Sequence, residues 1–196
     1  DCYWNSYTIQ GREDLYAWSG AYRMAKPVLV YKDENHFFDV EDQDVDISSV
    51  SNLPSGKTIG EKSGTMTHVD MPADQKKILD SIGTFKEYAD YSESKKALDN
   101  GEVDMVLREA LIACPTFDDV SKYNWASFSF SDTNTYGVAF KKGNEDKAET
   151  ITRAMKEVYT SGTMKENFFS FWKNRGLDDN LTEQAWQIYD KSCILK

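Results

Sequence analysis

The fold is decided by residues 92–107, SESKKALDNGEVDMVL, where a helical segment leads directly into a strand. Ser92 is the candidate N-cap of a helix that ends at Asn100-Gly101, a pair that favours helix termination. Val103–Leu107 has the short apolar run of a buried strand. The same patterns continue outward, with strands over Pro27–Tyr31, Thr58–Gly60 and Tyr136–Phe140 and a helix near Pro72–Leu79. Alternating strands and helices predict an α/β fold with mostly parallel pairing.

Three further helices are predicted near the carboxyl terminus. Apolar residues recur at helical spacing from Ile151 to Tyr159, and Gly162 ends this first helix. Thr163 and Glu166 have the spacing of a capping box that starts the second helix. A third helix is expected around Thr182–Tyr189. The second helix carries an apolar stripe that we interpret as part of a core, made of Met164, Phe168, Phe171 and Trp172.

An acidic stretch from Asp33 to Pro54 interrupts the alternation of strands and helices. It is crowded with Asp, Glu, Ser and Asn, which are typical of turns and loops. Its spacing lacks the Gly and Glu positions of a calcium-binding loop. The sequence therefore predicts an exposed loop in this region.

The charge balance argues against several classes of partner. The 196 residues include 23 Lys and Arg against 33 Asp and Glu, which gives a formal net charge of −10. A surface this negative repels phosphate groups, and no dense run of Lys and Arg offsets it. Nucleic acids and anionic membrane surfaces are therefore not expected as partners.

Few residues are suited to metal binding or catalysis. The chain has two histidines and three cysteines (Cys2, Cys114 and Cys193), and their spacing is not that of a zinc site. A disulfide between Cys2 and Cys193 and three free thiols both remain open. No GxSxG or HExxH motif is present, and general bases are scarce. We expect a protein without enzymatic activity, cofactor or metal.

The sequence shows no pattern of a targeting segment. No apolar run reaches the roughly 20 residues that a membrane helix needs. The chain starts at Asp1 without the charged and apolar regions of a signal peptide. This indicates either a cytosolic protein or the mature or trimmed form of an exported one.

Five motifs in a fixed order carry a resemblance to a known family. They are residues 5–13 (NSYTIQGRE), residues 16–22 (YAWSGAY) with the 28–31 strand, residues 56–65 (GKTIGEKSGT), residues 97–104 (ALDNGEVD) and residues 136–143 (YGVAFKKG). Each motif alone is weakly specific, but together they resemble the family 3 extracellular solute-binding proteins, the amino-acid receptors of ABC importers. The resemblance extends from Asp1 to about Trp172.

This resemblance implies a periplasmic-binding-protein-like clamshell of two α/β lobes joined by two hinge crossover strands. Residues 1–24 would form the first part of lobe 1. Residues 25–139 would hold the hinge strands and lobe 2, and residues 140–196 the carboxyl-terminal helices of lobe 1. In such folds the ligand binds in a cleft, and closure of the lobes buries it.

The family's ligand-binding positions correspond to five residues of this chain. In lobe 1, Thr8 and Arg12 match the positions that bind the carboxylate of an amino acid, and Arg12 can form two parallel hydrogen bonds with it. In lobe 2, Ser63 and Thr65 would lie in a strand-to-helix turn whose free N–H groups favour an anion. Glu109 matches the position of the acid that binds the ammonium group.

Three of these residues have an alternative interpretation. Arg12 could instead pair with Glu13 or Asp14 on the acidic surface. Thr65 could be an ordinary helix N-cap. Glu109 could be a solvated acid that complements the dipole at a helix start.

The chain departs from the family pattern at its amino-terminal end. Family members carry about 70 residues before the stretch that begins here, so the sheet of lobe 1 would lack strands and expose an edge. Either those residues were lost, or a swapped or associated second chain completes lobe 1. Arg108 and Glu109 also replace the small residue and Asp of the family, so ligand identity cannot be carried over.

The resemblance implies an extracytoplasmic solute-binding protein, in the periplasm or at the cell surface, either lipid-anchored or secreted. It would capture an amino acid or a similar small polar solute and deliver it to the membrane subunits of an ABC importer. The alternative is the extracellular ligand-sensing domain of a membrane signalling protein such as a histidine kinase.

Overall fold

The computed structural model describes residues 1–38, 45–64, 68–117, 122–129 and 131–195. Its strands are β1 Cys2–Thr8, β2 Ala17–Trp18, β3 Arg23–Ala25, β4 Pro27–Lys32, β5 Val45–Asp46, β6 Lys57–Lys62, β7 Gly83–Tyr88, β8 Met105–Glu109, β9 Tyr123–Ser127 and β10 Ser131–Phe140. Its helices are α1 Ala73–Ile82, α2 Tyr91–Asp99, α3 Ala110–Thr116, α4 Glu145–Thr160, α5 Thr163–Lys173 and α6 Asp179–Ser192.

The chain divides into two compact units. Unit 1 comprises Asp1–Ala25 and Phe130–Lys196, and unit 2 comprises Lys26–Ser129. The sequence placed residues 25–139 together as hinge strands and lobe 2. In the structure β10 belongs to unit 1, because the strands that pair with it, β1, β2 and β3, all lie there.

Unit 2 is built on a six-stranded sheet in the order β5-β9-β4-β8-β6-β7. The predicted strand over Pro27–Tyr31 is confirmed as the central β4, because its continuous apolar run suits burial on both faces. Helix α2 packs over β4, β6 and β8. The other face carries the hydrophobic core, which includes Leu29, Phe38, Ile47, Ile59, Leu79, Ile82, Met105, Leu107 and Phe128.

The prediction of mostly parallel pairing is wrong. Parallel pairs are β6 with β7 and with β8, and β5 with β9. Strand β4 runs antiparallel to both of its neighbours, β8 and β9. Neighbouring parallel strands need a crossover connection. Helix α1 provides one between β6 and β7, and helix α2 provides one between β7 and β8. Strand β7 was not predicted.

Unit 1 is built around β10, the long strand of a four-stranded antiparallel sheet. Strand β1 pairs along one side of β10, and the short strands β2 and β3 pair with it as well. Strand β1 lies at the edge of this sheet. Helix α4 packs on β10, and the core between them contains Ala17, Val138, Phe140, Ala148, Met155, Cys193 and Leu195.

The acidic stretch is only partly the exposed loop that was predicted. Phe38 and Ile47 are buried in the core of unit 2, and Val50 and Leu53 pack against it. The stretch also contains β5, which pairs with β9. Residues 39–44 lie outside the described residues. The prediction of an exposed loop is therefore wrong where the apolar residues fall, because the abundance of Asp and Ser concealed them.

Helix boundaries agree with the sequence better than helix caps do. Helix α2 ends at Asn100-Gly101 as predicted, but its N-cap is Asp90, whose carboxylate accepts the Glu93 amide, rather than Ser92. The Thr163 capping box is also wrong, because Thr163 lies inside α5 and Gly162 occupies the cap position without a side-chain bond.

The apolar stripe of α5 is not the buried core that was predicted. No described residue of α5 is buried, and Phe171 is 46% exposed. The helix packs on α6 and α4, and its aromatic rings contact Trp186 and Tyr189 at centroid distances of 5.4 Å from Phe168. These contacts cover one side of α5 only.

Two further features of the chain concern its cysteines and its helices. Cys2 is exposed, Cys193 is buried, and both are free thiols. Among the described residues, no helix has the combination of length and apolar character needed to cross a lipid bilayer.

Candidate functional site

The structure brings Thr8 and Arg12 together in unit 1. Thr8 ends β1, and the chain then turns so that the Arg12 amide donates to the Ile9 carbonyl oxygen at 2.9 Å. Gly11 supports this turn with a φ of 76°, a left-handed conformation that glycine adopts without steric cost. The Arg12 side chain folds back so that Nη1 donates to the Thr8 carbonyl oxygen at 3.2 Å.

The guanidinium of Arg12 keeps most of its hydrogen-bonding capacity. Its carbon lies 5.0 Å from the centre of the Tyr7 ring, which is a cation–π contact. Among the described residues, Arg12 forms no ion pair, so the alternative pairing with Glu13 or Asp14 is not observed. A planar, partly buried guanidinium with donors left over is suited to bidentate binding of a carboxylate.

A group of aromatic side chains supports Arg12, and the sequence analysis did not single it out. The rings of Tyr7, Tyr16 and Trp18 lie 5.5–5.7 Å apart between centroids. The Trp18 indole N–H donates to the Arg12 carbonyl oxygen at 3.0 Å and so fixes the backbone of the turn. The hydrogen bond with Tyr7 raises the pKa of Tyr16 above its ordinary value. The density of aromatic residues before Tyr22 was the available signal.

Gln10 is a second positioning residue that the sequence analysis missed. Its side-chain amide donates to the Thr135 hydroxyl at 2.9 Å, and its carbonyl oxygen accepts the Thr135 backbone N–H at 2.8 Å. This paired contact ties the turn after β1 to β10. Nothing local in the sequence could have found it, because the two residues are far apart along the chain.

In unit 2, Ser63 and Glu109 lie at the same edge of the sheet. Strands β6 and β8 are parallel, with Gly60 opposite Val106. Continuing this register by three residues on each strand (60 + 3 and 106 + 3) reaches Ser63 and Glu109. The carboxyl ends of parallel strands are the edge at which α/β sheets bind ligands.

Glu109 is a buried helix cap. It is 4% exposed, and its carboxylate accepts the Leu111 amide at 3.0 Å at the start of α3. The alternative interpretation is therefore half right: Glu109 does lie at a helix start, but it is buried rather than solvated. A buried carboxylate at a sheet edge can bind an ammonium group strongly, since little water competes with the contact.

Ser63 differs from its predicted role. Its amide donates to the Tyr88 carbonyl oxygen at 2.9 Å, and its hydroxyl donates to the Glu87 carboxylate at 2.9 Å. Helix α1 begins only at Ala73. The Ser63 N–H is therefore not among the free N–H groups that were predicted for the turn of residues 63–65. Thr65 lies outside the described residues.

Arg108 anchors α2 to the sheet and is not part of an exposed site. It is 1% exposed, and its guanidinium donates to the Leu107 and Tyr91 carbonyl oxygens and to the Ser94 hydroxyl. Because successive residues of a strand face opposite ways, Arg108 points away from the face that Glu109 occupies. Burial lowers the pKa of Arg108 to about 10, so it remains protonated at neutral pH.

Unit 2 also contains a polar cavity of about 610 Å³ that was not predicted. It is lined by Lys32, Asp33, Glu34, Lys95, Asp99, Lys122 and Tyr123. Lys95 donates to the Tyr123 hydroxyl at 2.7 Å and to Asp99 at 2.9 Å, and Tyr123 donates to Asp99. Lys95, Asp99 and Tyr123 therefore satisfy one another's hydrogen-bonding groups. Across the described part of the chain, no three His, Cys, Asp or Glu side chains are grouped to hold a metal ion.

The fold of this chain is similar to solved structures of amino-acid-binding proteins. Neither a protein-family model nor a curated protein sequence matches this chain. An ancestral arginine-binding protein bound to arginine is 24% identical, with 82% of this chain and 66% of that protein covered and a TM-score of 0.58. AbpA, an amino-acid ABC transporter substrate-binding protein from Streptococcus pneumoniae bound to L-arginine, is 19% identical. The match covers 92% of this chain and 65% of AbpA, with a TM-score of 0.60.

A third structure extends the similarity to another ligand. An ABC uptake transporter substrate-binding protein from Streptococcus pneumoniae with bound histidine is 21% identical, with 85% of this chain and 65% of that protein covered and a TM-score of 0.63. This chain thus spans 65–66% of the length of these three proteins. Over that length, it has the fold of the amino-acid substrate-binding proteins of ABC transporters.

Proposed function

We propose that this chain belongs to an extracytoplasmic solute-binding protein that captures an amino acid or a similar small polar solute for an ABC importer. The observation that carries the proposal is the structural similarity to substrate-binding proteins bound to arginine and to histidine. Since this chain spans less than the whole length of those proteins, its solute and its partners are part of the proposal.

The chemistry of unit 1 fits the carboxylate of an amino acid. Arg12 would bind both carboxylate oxygens, with Thr8 beside it at the end of β1. Hydrogen bonds to charged groups contribute about 1.5–3 kcal/mol each. Two such bonds supply a large part of the roughly 8 kcal/mol that corresponds to micromolar affinity.

The chemistry of unit 2 fits the ammonium group of an amino acid. Glu109 would accept hydrogen bonds from the ammonium group. The resemblance assigns Ser63 and Thr65 to the carboxylate of the same ligand. The Ser63 hydroxyl already donates to Glu87. To donate to a carboxylate, this hydroxyl would exchange its bond to Glu87 for one to the ligand.

The edge of unit 1 fits both ways of completing lobe 1 that the resemblance leaves open, further residues of the same protein or a swapped or associated second chain. Strand β1 is an edge strand without a charged side chain. Tyr3 and Trp4 on it are 64% and 54% exposed. Natural sheets protect such edges with charges, proline or a covering element. An additional strand pairing with β1 would cover both the free backbone groups and the aromatic surface.

The membrane subunits of an ABC importer and a position outside the cytoplasm, lipid-anchored or secreted, follow from the same proposal. A binding role without catalysis also follows from it, and the three matched proteins are named for binding rather than for a reaction. Two of them are named as substrate-binding proteins of ABC transporters and none as a sensor, so they give the alternative of a histidine kinase sensor domain no support.

Thermal unfolding of the chain with each of the twenty standard amino acids tests the proposal. A ligand at 100 times its Kd stabilises a protein by about 2.7 kcal/mol, or roughly 5–11 °C for a chain of this size. Calorimetric titration would then confirm one binding site. The absence of any shift or heat with all twenty amino acids would contradict the proposal.

A further inference from the structure

Glu87 is an exposed glutamate near the carboxyl end of β7 that has no role in the proposed ligand site. Strands β6 and β7 are parallel and remain paired as far as Lys62 and Tyr88. Glu87 therefore lies at the same edge of the unit 2 sheet as Ser63 and Glu109. This is the edge at which the parallel strands of α/β sheets bind ligands.

The carboxylate of Glu87 has one hydrogen-bond partner among the described residues. Its Oε2 accepts the Ser63 hydroxyl at 2.9 Å. The basic residues next to this pair have other contacts, since Lys62 donates to the Ser63 carbonyl oxygen at 3.2 Å and Lys86 pairs with Glu102 at 3.5 Å. Within the described part of the chain, Glu87 forms no ion pair, so its contact is with Ser63.

The backbone of Ser63 is fixed independently of its hydroxyl group. Its N–H donates to the Tyr88 carbonyl oxygen at 2.9 Å. Breaking the bond to Glu87 therefore leaves this backbone contact intact and changes only what the hydroxyl contacts. Because Ser63 and Glu87 are both exposed, a ligand can reach the hydroxyl without opening the core of unit 2.

A serine hydroxyl has a single proton to donate. While that proton is bonded to Glu87, it is not available to a second carboxylate. A ligand carboxylate at Ser63 gains one hydrogen bond to a charged group but breaks another of the same kind, so the exchange contributes little to affinity. Two carboxylates about 4 Å apart in water also repel each other, which weakens binding about fivefold.

We propose that Glu87 is an affinity-determining residue of the ligand site, an internal carboxylate that occupies the Ser63 hydroxyl until a ligand carboxylate displaces it. In the unliganded protein, Glu87 keeps the hydroxyl paired. On binding, it makes the ligand compete for that bond. This inference rests on the proposed function, since it requires that an amino acid binds at this edge of unit 2.

A double-mutant cycle with Ser63→Ala and Glu87→Ala tests the competition. In the wild-type chain, Ser63→Ala should change Kd by no more than about twofold, because the hydroxyl only exchanges one carboxylate for another. In the Glu87→Ala background the hydroxyl is free, so adding Ser63→Ala should weaken binding about tenfold. The cycle compares one substitution in two backgrounds, so a direct interaction between Glu87 and the ligand's own side chain cancels.

The matched control replaces Glu87→Ala by Glu102→Ala. Glu102 is an exposed glutamate of the same unit that precedes β8, at the opposite end of the parallel strands. Its removal frees no hydroxyl, so Ser63→Ala should have the same effect there as in the wild type. Calorimetric titration with L-arginine, and with each other standard amino acid in turn if L-arginine gives no heat, supplies Kd. Glu87→Val, a good strand former without an acceptor, takes the place of Glu87→Ala should that variant not fold.

The outcomes separate this inference from the proposed function. A wild-type chain that binds none of the standard amino acids overturns the proposed function, and the role of Glu87 falls with it. A wild-type chain that binds, with the same effect of Ser63→Ala in the presence and absence of Glu87, overturns the role of Glu87 alone. The expected result is a larger effect of Ser63→Ala in the absence of Glu87 and an unchanged effect in the absence of Glu102.

Discussion

Replacing Arg12 separates ligand binding from support of its own turn. The side chain makes one hydrogen bond, to the Thr8 carbonyl oxygen at 3.2 Å, and one cation–π contact, 5.0 Å from the Tyr7 ring centre. A hydrogen bond contributes about 0.5–1.5 kcal/mol and an exposed cation–π contact about 0.5–1 kcal/mol. Arg12→Gln should therefore lower the free energy of unfolding by about 1–2.5 kcal/mol.

The expected effect on ligand binding is larger. Loss of two hydrogen bonds to a carboxylate, at about 1.5–3 kcal/mol each, weakens affinity by about 10²–10⁴-fold. Arg12→Lys keeps the charge but replaces the planar fork by an ammonium group. It should fall between the wild type and Arg12→Gln, because an ammonium group cannot form the two parallel bonds.

The assay combines calorimetric titration with urea unfolding. The ligand is the amino acid that gives the largest thermal shift with the wild-type chain. Arg153→Gln is the matched control, since Arg153 is an exposed arginine of α4 in the same unit. Equal Kd values for Arg12→Gln and Arg153→Gln, with the loss of stability confined to Arg12→Gln, would refute the reasoning.

Two further predictions concern the stability of unit 2. Burial alone would raise the pKa of Asp99, but hydrogen bonds from Tyr123 and from a lysine outweigh burial and hold it below its ordinary value. The resulting stability is present above the unfolded-state pKa and is lost as pH falls through the lower folded-state pKa. Tyr123→Phe should lower the free energy of unfolding by about 1 kcal/mol at pH 7 and make it fall less on acidification than in the wild type. Urea unfolding at pH 7 and at acidic pH measures both, and a fall on acidification equal to that of the wild type would contradict this. A Cβ on Gly83 would lie 1.8 Å from the Lys57 carbonyl oxygen, so Gly83→Ala should cost roughly 3 kcal/mol or more. Gly101→Ala, with open space but a φ of 73°, should cost only about 1 kcal/mol, and equal melting temperatures would contradict the comparison.

Much of the secondary structure could be predicted from the sequence, because its signals are local. The apolar run of β4 and the helical spacing of α4 each lie within one element, and both elements are observed. The stop at Asn100-Gly101 is equally local, since Gly101 adopts a φ of 73°. Strand β7 escaped prediction because its alternation is weak and it follows α1 directly, with Gly83 serving both as the helix C-cap and as the first strand residue.

The candidate site was predicted less completely, because side-chain partners lie far apart along the chain. Gln10 carries no local mark of its role, and its partner Thr135 lies on the distant strand β10. The aromatic support of Arg12 depends on how β1 and β2 both pair with β10. The alternative interpretation of Glu109 as an acid at a helix start is observed, but its burial depends on the surrounding sheet.

By itself, the sequence determined most of the helices, the apolar strands β4, β6, β8 and β10, and where the chemically distinctive residues fall along the chain. Periodicity, turn residues and charge act over a few neighbouring positions, so they can be read directly from the chain. Only the tertiary structure decided strand direction, the helix caps that are used, and which polar groups are buried together. Those features depend on contacts between distant residues, and the free energy of burying a charge is set by the partners that folding brings to it.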